Sequence, residues 1–221
     1  MYENFDDLAP KKSLFSNTWQ IPFLGMSIWE LGLLILAVWF VRTHIFQLFR
    51  VYGPSMCPTI NFLDETCQNK SGELVFVNQF RYSFLETPKR DEIVVFRSPV
   101  DGVHVIKRII GVGGDVIEIK NGKVYRNDEN GDLKLLDEPY LSPENAGNTR
   151  TFGKTVFRVP ENEFFLLGDN RNRSQDGRHC YRKQGCSPDG HAFLPKSSIL
   201  GRAEVVLYPF SQFRRLESDL K

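Results

Sequence analysis

The 221-residue sequence has no excess of charge of either sign, and it contains few cysteines. Its 28 lysines and arginines are balanced by 27 aspartates and glutamates, which leaves a formal net charge of +1 at pH 7. Proteins that bind nucleic acid usually carry a clustered basic face, so this balance predicts no nucleic-acid partner. The four cysteines lack the spacing of zinc ligands. Hydrophobic residues make up 41% of the chain, which is enough for a packed core and argues against disorder.

One long apolar run lies near the N-terminus, after a polar tail at residues 1–20. Between residues 21 and 41 only Glu30 is charged, and residues 31–41 are wholly apolar. About 20 apolar residues rising 1.5 Å each match the roughly 30 Å hydrocarbon core of a bilayer. No small residues typical of a signal-peptide cleavage site follow the run. We therefore interpret residues 21–46 as an uncleaved membrane anchor, whose orientation stays open because basic residues flank both ends.

After the anchor, the pattern changes to short strands. Residues that are β-branched or aromatic and bounded by turn residues predict strands at 74–77, 93–96, 103–110, 116–120, 123–125, 164–167 and 202–208. Asn121-Gly122 joins two of these runs as a two-residue hairpin turn. Residues 127–150 are polar and show no periodicity, so we interpret them as a loop. The predicted fold class is mainly β, with an N-terminal transmembrane helix followed by an all-β domain at residues 51–221.

A serine is held between two prolines shortly after the apolar run. Residues 53–60 read Gly-Pro-Ser-Met-Cys-Pro-Thr-Ile. Pro54 and Pro58 stiffen the backbone on either side of Ser55, because proline fixes φ and lacks an N–H. A serine in such a turn does not easily satisfy its hydroxyl by bonding back to a helix. Taken alone, the pattern also fits a loop whose serine is merely solvated.

A lysine lies within one of the apolar strands. Side-chain alternation places Lys107 on one face with Val105 and Ile109, whereas His104 and Ile106 share the opposite face. Apolar burial disfavours the ammonium and lowers the pKa of a lysine, which is what a general-base lysine requires. The structural alternative is a lysine that reaches water from a sheet edge.

A polar turn follows the strand predicted at 164–167. Acids and arginines alternate closely along residues 168–178. This alternation favours a local network of ion pairs and hydrogen bonds, which could position Ser174 beside a lysine. The alternative is a solvated turn, because these residue types are common in turns.

Four stretches, in this order along the chain, together resemble the type I signal peptidase family of membrane-bound serine proteases. They are residues 53–60, which are similar to the Ser-Met-x-Pro-Thr nucleophile motif; residues 91–96, which resemble Gly-Asp-Ile-Val-Val-Phe; residues 107–115, which resemble Lys-Arg-(x)-x-Gly-x-x-Gly-Asp; and residues 168–178, which resemble Gly-Asp-Asn-Arg-x-x-Ser-x-Asp-Ser-Arg. The resemblance implies removal of signal peptides from exported precursors without a cofactor or metal. It also implies a single-pass protein in contact with membrane lipid, with its catalytic domain on the extracytoplasmic side, in a periplasm or thylakoid lumen.

The resemblance also implies a role for individual residues. Ser55 is the expected nucleophile, with its backbone N–H donating to the oxyanion, and Lys107 is the expected general base. Ser174 is expected to hydrogen-bond and orient the lysine amine. The supporting residues of the turn are Asp169, Asn170, Arg171, and the pair Asp176 and Arg178. The residues expected to line shallow pockets for small side chains at positions −1 and −3 of the substrate are Val51, Gly53, Met56, Ile60, Val105 and Ile106.

The sequence departs from the family pattern at two places that matter. Gly53 stands where many relatives carry a Ser or Thr hydroxyl that supplies a second oxyanion donor, and residues 179–193 look like an insertion. In the oxidising compartment that the resemblance implies, Cys180 and Cys186 are predicted to pair. Cys57 and Cys67 are then left free and mostly buried.

Several alternatives remain. A self-cleaving Ser–Lys repressor resembles the same β fold, but it carries a DNA-binding domain where this chain has an apolar run. An inactive, membrane-tethered β-rich binding module has little reason to keep Ser55, Lys107 and Ser174 together. Histidine as the base requires His104, which alternation puts on the face opposite Lys107. A metal cluster is a further hypothesis, and its ligands would be His179, Cys180, Cys186 and His191.

Overall fold

The fold is mainly β, as the alternating runs predict. The computed structural model describes residues 20–21, 26–63, 66–68, 72–182 and 190–216. The chain divides into two units, Met1–Thr43 and His44–Lys221.

A short hairpin precedes the only α-helix found in the described residues. Strand β1 (Gln20–Ile21) pairs with β2 (Met26–Ser27), and helix α1 runs from Ile28 to His44. Glu30 Oε2 accepts the backbone N–H of Ser27 at 2.7 Å, and Ser27 Oγ accepts the backbone N–H of Glu30 at 3.3 Å. This reciprocal capping box fixes where the helix begins.

The helix is shorter than the predicted anchor at residues 21–46. It contains 17 residues, none of which is buried, and residues 22–25 of the predicted anchor lie outside the described part of the chain. Among the residues that the structure describes, no helix is long and apolar enough to cross a membrane.

The second unit is built from strands and single helical turns. Its strands are β3 (Phe46–Val51), β4 (Phe62–Leu63), β5 (Thr66–Cys67), β6 (Glu73–Asn78), β7 (Ile93–Arg97), β8 (His104–Val112), β9 (Val116–Lys120), β10 (Lys123–Asn127), β11 (Leu133–Leu135), β12 (Val156–Arg158), β13 (Glu163–Leu167), β14 (Leu194–Pro195), β15 (Ile199–Tyr208) and β16 (Arg214–Arg215). A π-helical turn at Arg81–Leu85 and 3-10 turns at Gly177–His179, Lys196–Ser198 and Phe210–Gln212 complete it.

Two antiparallel sheets contain all of these strands except β4 and β5, which pair with each other. The larger has eight strands in the order β14-β13-β8-β7-β15-β6-β3, with β16 pairing to β15, and the smaller has the order β11-β10-β9-β12. Strand β8 lies in the larger sheet and leads through a three-residue turn into β9 of the smaller one. An apolar core containing Ile110, Val124 and Phe165 includes side chains from both sheets. The two sheets therefore share a core.

Most of the predicted strands are confirmed, and so is the hairpin at Asn121-Gly122. Lys120 pairs with Lys123, and both turn residues have positive φ (50° and 75°), which asparagine and glycine tolerate best. Strand β3 was not predicted: of its six residues only Val51 is buried, so no buried apolar run marks it. It also interpreted residues 127–150 as loop, but β11 lies there; its three residues are all exposed, so no alternation marks it.

Candidate active site

Ser55 lies in the loop that follows β3, and buried polar contacts hold this loop. The side-chain amide of Asn61 donates to the carbonyl oxygens of Val51 and Gly53, both at 2.9 Å. The carboxylate of Glu73 in turn accepts the backbone N–H of Asn61 at 2.8 Å. Asn61 and Glu73 are both fully buried, so the loop is attached to the start of β6 by groups that water cannot replace.

A disulfide bond also holds the loop of residues 52–61, which we call the nucleophile loop after the predicted role of Ser55. The prediction that Cys57 and Cys67 are free is therefore wrong. Cys57 is bonded to Cys67. The chain can close this loop because β4 pairs with β5, with Phe62 opposite Cys67, and because Gln68 N–H donates to the Asn61 carbonyl at 2.8 Å. Cys180 is disulfide-bonded too, and its predicted partner Cys186 lies outside the described residues.

Lys107 lies in the middle of β8 and reaches Ser55. Its Nζ is 2.8 Å from Ser55 Oγ and donates to the carbonyl oxygen of Ile106 at 2.8 Å. The side chain is buried, with 2% of the residue exposed. Burial lowers the pKa of Lys107 to about 8, against the opposing effect of the Asp176 and Asp169 carboxylates. A substantial fraction of the amine is therefore neutral near pH 8, as general-base chemistry requires.

The predicted polar turn packs directly against the nucleophile loop. The backbone N–H of Asn170 donates to the carbonyl oxygen of Ser55 at 3.0 Å. Gly168 permits this close approach, because a Cβ there would lie 2.2 Å from Ser174 Oγ and 2.5 Å from the Ser55 carbonyl oxygen. Any residue with a side chain at this position would push the turn away from Ser55.

Ser174 does not make its predicted contact. Its Oγ is buried and has no hydrogen-bond partner among the described residues, so the expected hydrogen bond to the Lys107 amine is not formed. The Lys107 amine instead contacts Ser55 Oγ and donates to the carbonyl oxygen of Ile106 in the same strand. The hydroxyl nevertheless lies beside Gly168, in the turn that contacts Ser55.

Asp176 and Arg178 form a buried ion pair in which neither side chain is exposed. Arg178 Nη2 donates to Asp176 Oδ2 at 2.8 Å, and Asp176 Oδ2 also accepts the Gly168 N–H at 3.1 Å. Burial alone would raise the pKa of Asp176, but the Arg178 guanidinium and the hydrogen bonds outweigh it and lower the pKa. The pair therefore stays charged and fixes both ends of the turn.

Asp169 joins the nucleophile loop to β8. Its carboxylate accepts Arg108 Nε at 2.9 Å and Arg108 Nη2 at 2.8 Å in a bidentate fork. Its Oδ2 also accepts the hydroxyl of Thr59 at 2.5 Å. Thr59 belongs to the same motif as Ser55, so this carboxylate contacts the strand that carries Lys107 and the loop that carries the serine.

Sequence analysis missed the contribution of residues 127–150. Glu138 forms an ion pair with Arg171, and the Tyr140 ring lies against the Arg108 guanidinium, whose Cζ is 3.9 Å from the ring centroid. Thr149 Oγ1 accepts Arg171 Nη1 at 2.8 Å. No residue type or spacing in this polar segment indicates such contacts, which arise only when the segment folds back onto the turn.

An apolar groove opens beside Ser55. Its volume is about 240 Å³, and its lining residues are Phe49, Arg50, Val51, Tyr52, Ser55, Val95, His104, Val105 and Ile106. Three of the predicted substrate-binding residues, Val51, Val105 and Ile106, lie there. Two others, Met56 and Ile60, are instead 1% and 0% exposed and pack into the core, because the proline-held loop turns these apolar side chains inward. Gly53 is half-buried and is not one of the lining residues.

The described residues give no support to a metal centre at the proposed cluster. Cys180 is disulfide-bonded, so its sulfur is not available as a thiolate ligand. Within the described part of the chain, no group of three or more His, Cys, Asp or Glu side chains could hold a metal ion.

Comparison with known proteins decides the family. A sequence model of the family described as signal peptidase, peptidase S26, matches residues 26–208. The chain is 34% identical over 183 residues to signal peptidase I S of Bacillus subtilis, an alignment that covers 79% of this chain and 84% of the relative. The chain belongs to the signal peptidase family. It is therefore a serine endopeptidase that removes signal peptides from precursor proteins.

Two further relatives extend the comparison. The peptidase is 31% identical over 216 residues to the probable signal peptidase I-2 of Synechocystis, with 95% of this chain and 82% of the relative covered. A crystal structure of a signal peptidase I from Enterococcus faecalis is 30% identical and covers 53% of this chain and 97% of that chain, with a TM-score of 0.37. The family membership of the peptidase does not favour the alternative of an inactive binding module.

Proposed function

We propose that the peptidase cleaves signal peptides with a Ser–Lys dyad, in which Ser55 is the nucleophile and Lys107 the general base. The observation that carries the proposal is the 2.8 Å contact between Lys107 Nζ and Ser55 Oγ, combined with a lysine pKa lowered to about 8. When the amine is neutral, its lone pair can accept the Ser55 proton across the same contact.

The proposed reaction has two stages. Ser55 Oγ attacks the carbonyl carbon of the scissile peptide bond while its proton moves to Lys107 Nζ. The resulting ammonium then donates that proton to the nitrogen of the leaving mature chain, and the signal peptide remains as an ester on Ser55. Water, deprotonated by the neutral lysine, hydrolyses the ester and restores the serine.

The oxyanion of each tetrahedral intermediate needs a donor. Among the described residues, the backbone N–H of Ser55 has no hydrogen-bond acceptor, so it is available for this role. Gly53 supplies no side-chain donor, and its positive φ of 86° suits glycine at this point of the loop. We infer that the Ser55 N–H is the main oxyanion donor.

The groove beside Ser55 is the proposed substrate site. Its small volume and apolar floor, formed by residues such as Val51, Val95 and Ile106, fit short side chains at positions −1 and −3 of the signal peptide. An extended substrate backbone could lie along the neighbouring strands and form main-chain hydrogen bonds.

The proposed location is a membrane, with the catalytic unit on the extracytoplasmic side. Support comes from α1, where apolar side chains such as Trp29, Leu33 and Trp39 are exposed, with 78%, 67% and 56% of each residue accessible. Exposed apolar surface of this kind suits contact with lipid. Alkaline extraction of isolated membranes, followed by protease treatment of intact cells or spheroplasts, tests the anchoring and the orientation together.

Cleavage of a precursor tests the dyad. The full-length protein in detergent is incubated with a precursor that carries an Ala-x-Ala site, and the products are identified by mass spectrometry. We expect Ser55→Ala to abolish cleavage, whereas Ser98→Ala, which alters a buried serine that does not line the groove, retains it. Cleavage by Ser55→Ala at the wild-type rate would exclude Ser55 as the nucleophile.

A further inference from the structure

The segment between β11 and β12 carries two buried contacts that the proposed mechanism does not use. We propose that Glu138 and Tyr140 are positioning residues, which hold the turn at residues 168–178 so that Ser55 is presented to Lys107. The proposal rests on the proposed function. It gives the smaller sheet, from which this segment extends, a role in positioning Ser55.

Tyr140 acts on Arg108. Its ring faces the guanidinium at 3.9 Å, while the same guanidinium forms the fork to Asp169 and donates Nη1 to the Asp91 carbonyl at 2.9 Å. A cation on an aromatic face is attracted most strongly where water is excluded, and Arg108 is 1% exposed. The fork, the ring and the Asp91 carbonyl together hold the guanidinium, and the guanidinium in turn holds the Asp169 carboxylate.

Glu138 acts on Arg171, which lies two residues after Asp169 in the same turn. Its carboxylate accepts both terminal nitrogens of Arg171 and the hydroxyl of Tyr140 at 2.9 Å. Arg171 in turn donates Nε to the Gly168 carbonyl at 3.1 Å. The Arg171 side chain is fully buried, so without Glu138 its charge would be left uncompensated.

Both arginines are connected to the nucleophile loop through residues of the turn. Asp169, held by Arg108, accepts the Thr59 hydroxyl, and Asn170, which lies between Asp169 and Arg171, donates its N–H to the Ser55 carbonyl. Neither Glu138 nor Tyr140 lines the substrate groove. Their loss should therefore displace the serine without removing contacts to the substrate, which lowers kcat and leaves KM nearly unchanged.

Tyr140 variants of the full-length protein in detergent separate positioning from folding. We expect Tyr140→Leu to lower kcat about 10- to 30-fold with KM within about twofold, because the ring face is lost. Tyr140→Phe keeps the ring, and its kcat should stay within about threefold of that of the wild type. The kcat of Glu138→Gln should fall between those of the two Tyr140 variants. Val124→Ala is the matched control, because it removes a buried apolar side chain from the smaller sheet without removing a polar contact of the turn, and we expect it to lower Tm with kcat within about twofold.

Hydrogen–deuterium exchange supplies a readout that does not depend on cleavage. The amides of residues 168–174 should exchange faster in Tyr140→Leu than in the wild type, in Tyr140→Phe or in Val124→Ala. Unchanged kcat and unchanged exchange in Tyr140→Leu, or an equal loss of kcat in Val124→Ala at a matched fall in Tm, would overturn the proposal. A wild-type protein that cleaves no precursor would refute the proposed function instead, and the exchange measurement would still decide whether the turn is held as described.

Discussion

The two faces of β8 give neighbouring cations opposite environments. Lys107 and Arg108 are consecutive and almost equally buried, at 2% and 1% exposed. Burial acts to lower the pKa of both, but Asp169 overcomes it at Arg108 and raises that pKa. At Lys107 burial prevails, and the lysine forms no ion pair with the described residues. The Arg108 face of β8 thus carries a permanent positive charge, whereas the amine on the Lys107 face can lose its proton.

The comparison extends to the whole polar centre. Each buried arginine there has its own carboxylate: Arg108 has Asp169, Arg171 has Glu138 and Arg178 has Asp176. The three pairs leave no carboxylate for Lys107. Charges in a buried site must be compensated. Because the three carboxylates are already paired with arginines, the neutral form of Lys107 is favoured, and no further residue is needed to lower its pKa.

Replacing each cation by methionine tests the difference between the two faces of β8 most directly. We expect Lys107→Met to lose at least about 1,000-fold in cleavage rate, because no base remains. A lysine pKa lowered from 10.5 to about 8 destabilises the native state by roughly 3 kcal/mol below pH 8, and this cost disappears above about pH 10.5. Lys107→Met should therefore have a higher Tm than the wild type at pH 7.

Arg108→Met should do the reverse to stability. It leaves the buried carboxylate of Asp169 without its partner, which typically costs about 3–5 kcal/mol. Thermal unfolding of both variants at pH 7, beside the precursor assay, provides the measurement. A Tm for Lys107→Met below that of Arg108→Met would contradict the distinction between the two faces.

The variant Ser174→Ala tests whether the Ser174 hydroxyl orients the Lys107 amine. A buried hydroxyl without a partner costs stability, so we expect the variant to be as stable as the wild type or more so. We also expect a rate lower by roughly 10- to 1,000-fold, since the hydroxyl, which lies beside Gly168 in the turn that contacts Ser55, is predicted to orient the base during the reaction. Steady-state kinetics and Tm on the same preparation test both parts. Full activity would remove Ser174 from the mechanism.

The pH profile measures how far the lysine's environment lowers its pKa. The groups that act on Lys107 are Asp176 and Asp169, which raise its pKa, and Arg178, which lowers it. With a pKa of about 8, kcat/KM should rise with pH and level off above about pH 9, so that at pH 7 about a tenth of the plateau remains. His104→Gln is the control: an acid limb that this substitution abolishes would identify histidine as the base.

Residue type and local context in the sequence predict the two members of the proposed dyad. The proline-held Ser55 and the lysine on an apolar strand are local patterns, and the structure brings the two together. No such pattern predicts Glu138 and Tyr140, because their partners are more than 30 residues away in sequence and the intervening segment has no period. Met56 and Ile60 were also predicted at the groove rather than in the core, because alternation does not apply to an irregular loop.

The disulfide of the nucleophile loop should have the smallest effect on the rate. Ser55 is already held from the Arg108 side, through Thr59 and Asn170, and the bond from Cys57 to Cys67 closes a loop with a sequence separation of only 10. In the chain-entropy estimate such a loop contributes at most about 2–3 kcal/mol to the free energy of unfolding.

We therefore expect the double variant Cys57→Ala, Cys67→Ser to have a lower Tm but a kcat within about threefold of the wild type. Reductant added to the wild type is the companion measurement, and the variant separates this bond from the one at Cys180. A loss of kcat beyond tenfold at a temperature where the variant stays folded would mean that the disulfide, and not the polar contacts on the Arg108 side of β8, positions the serine.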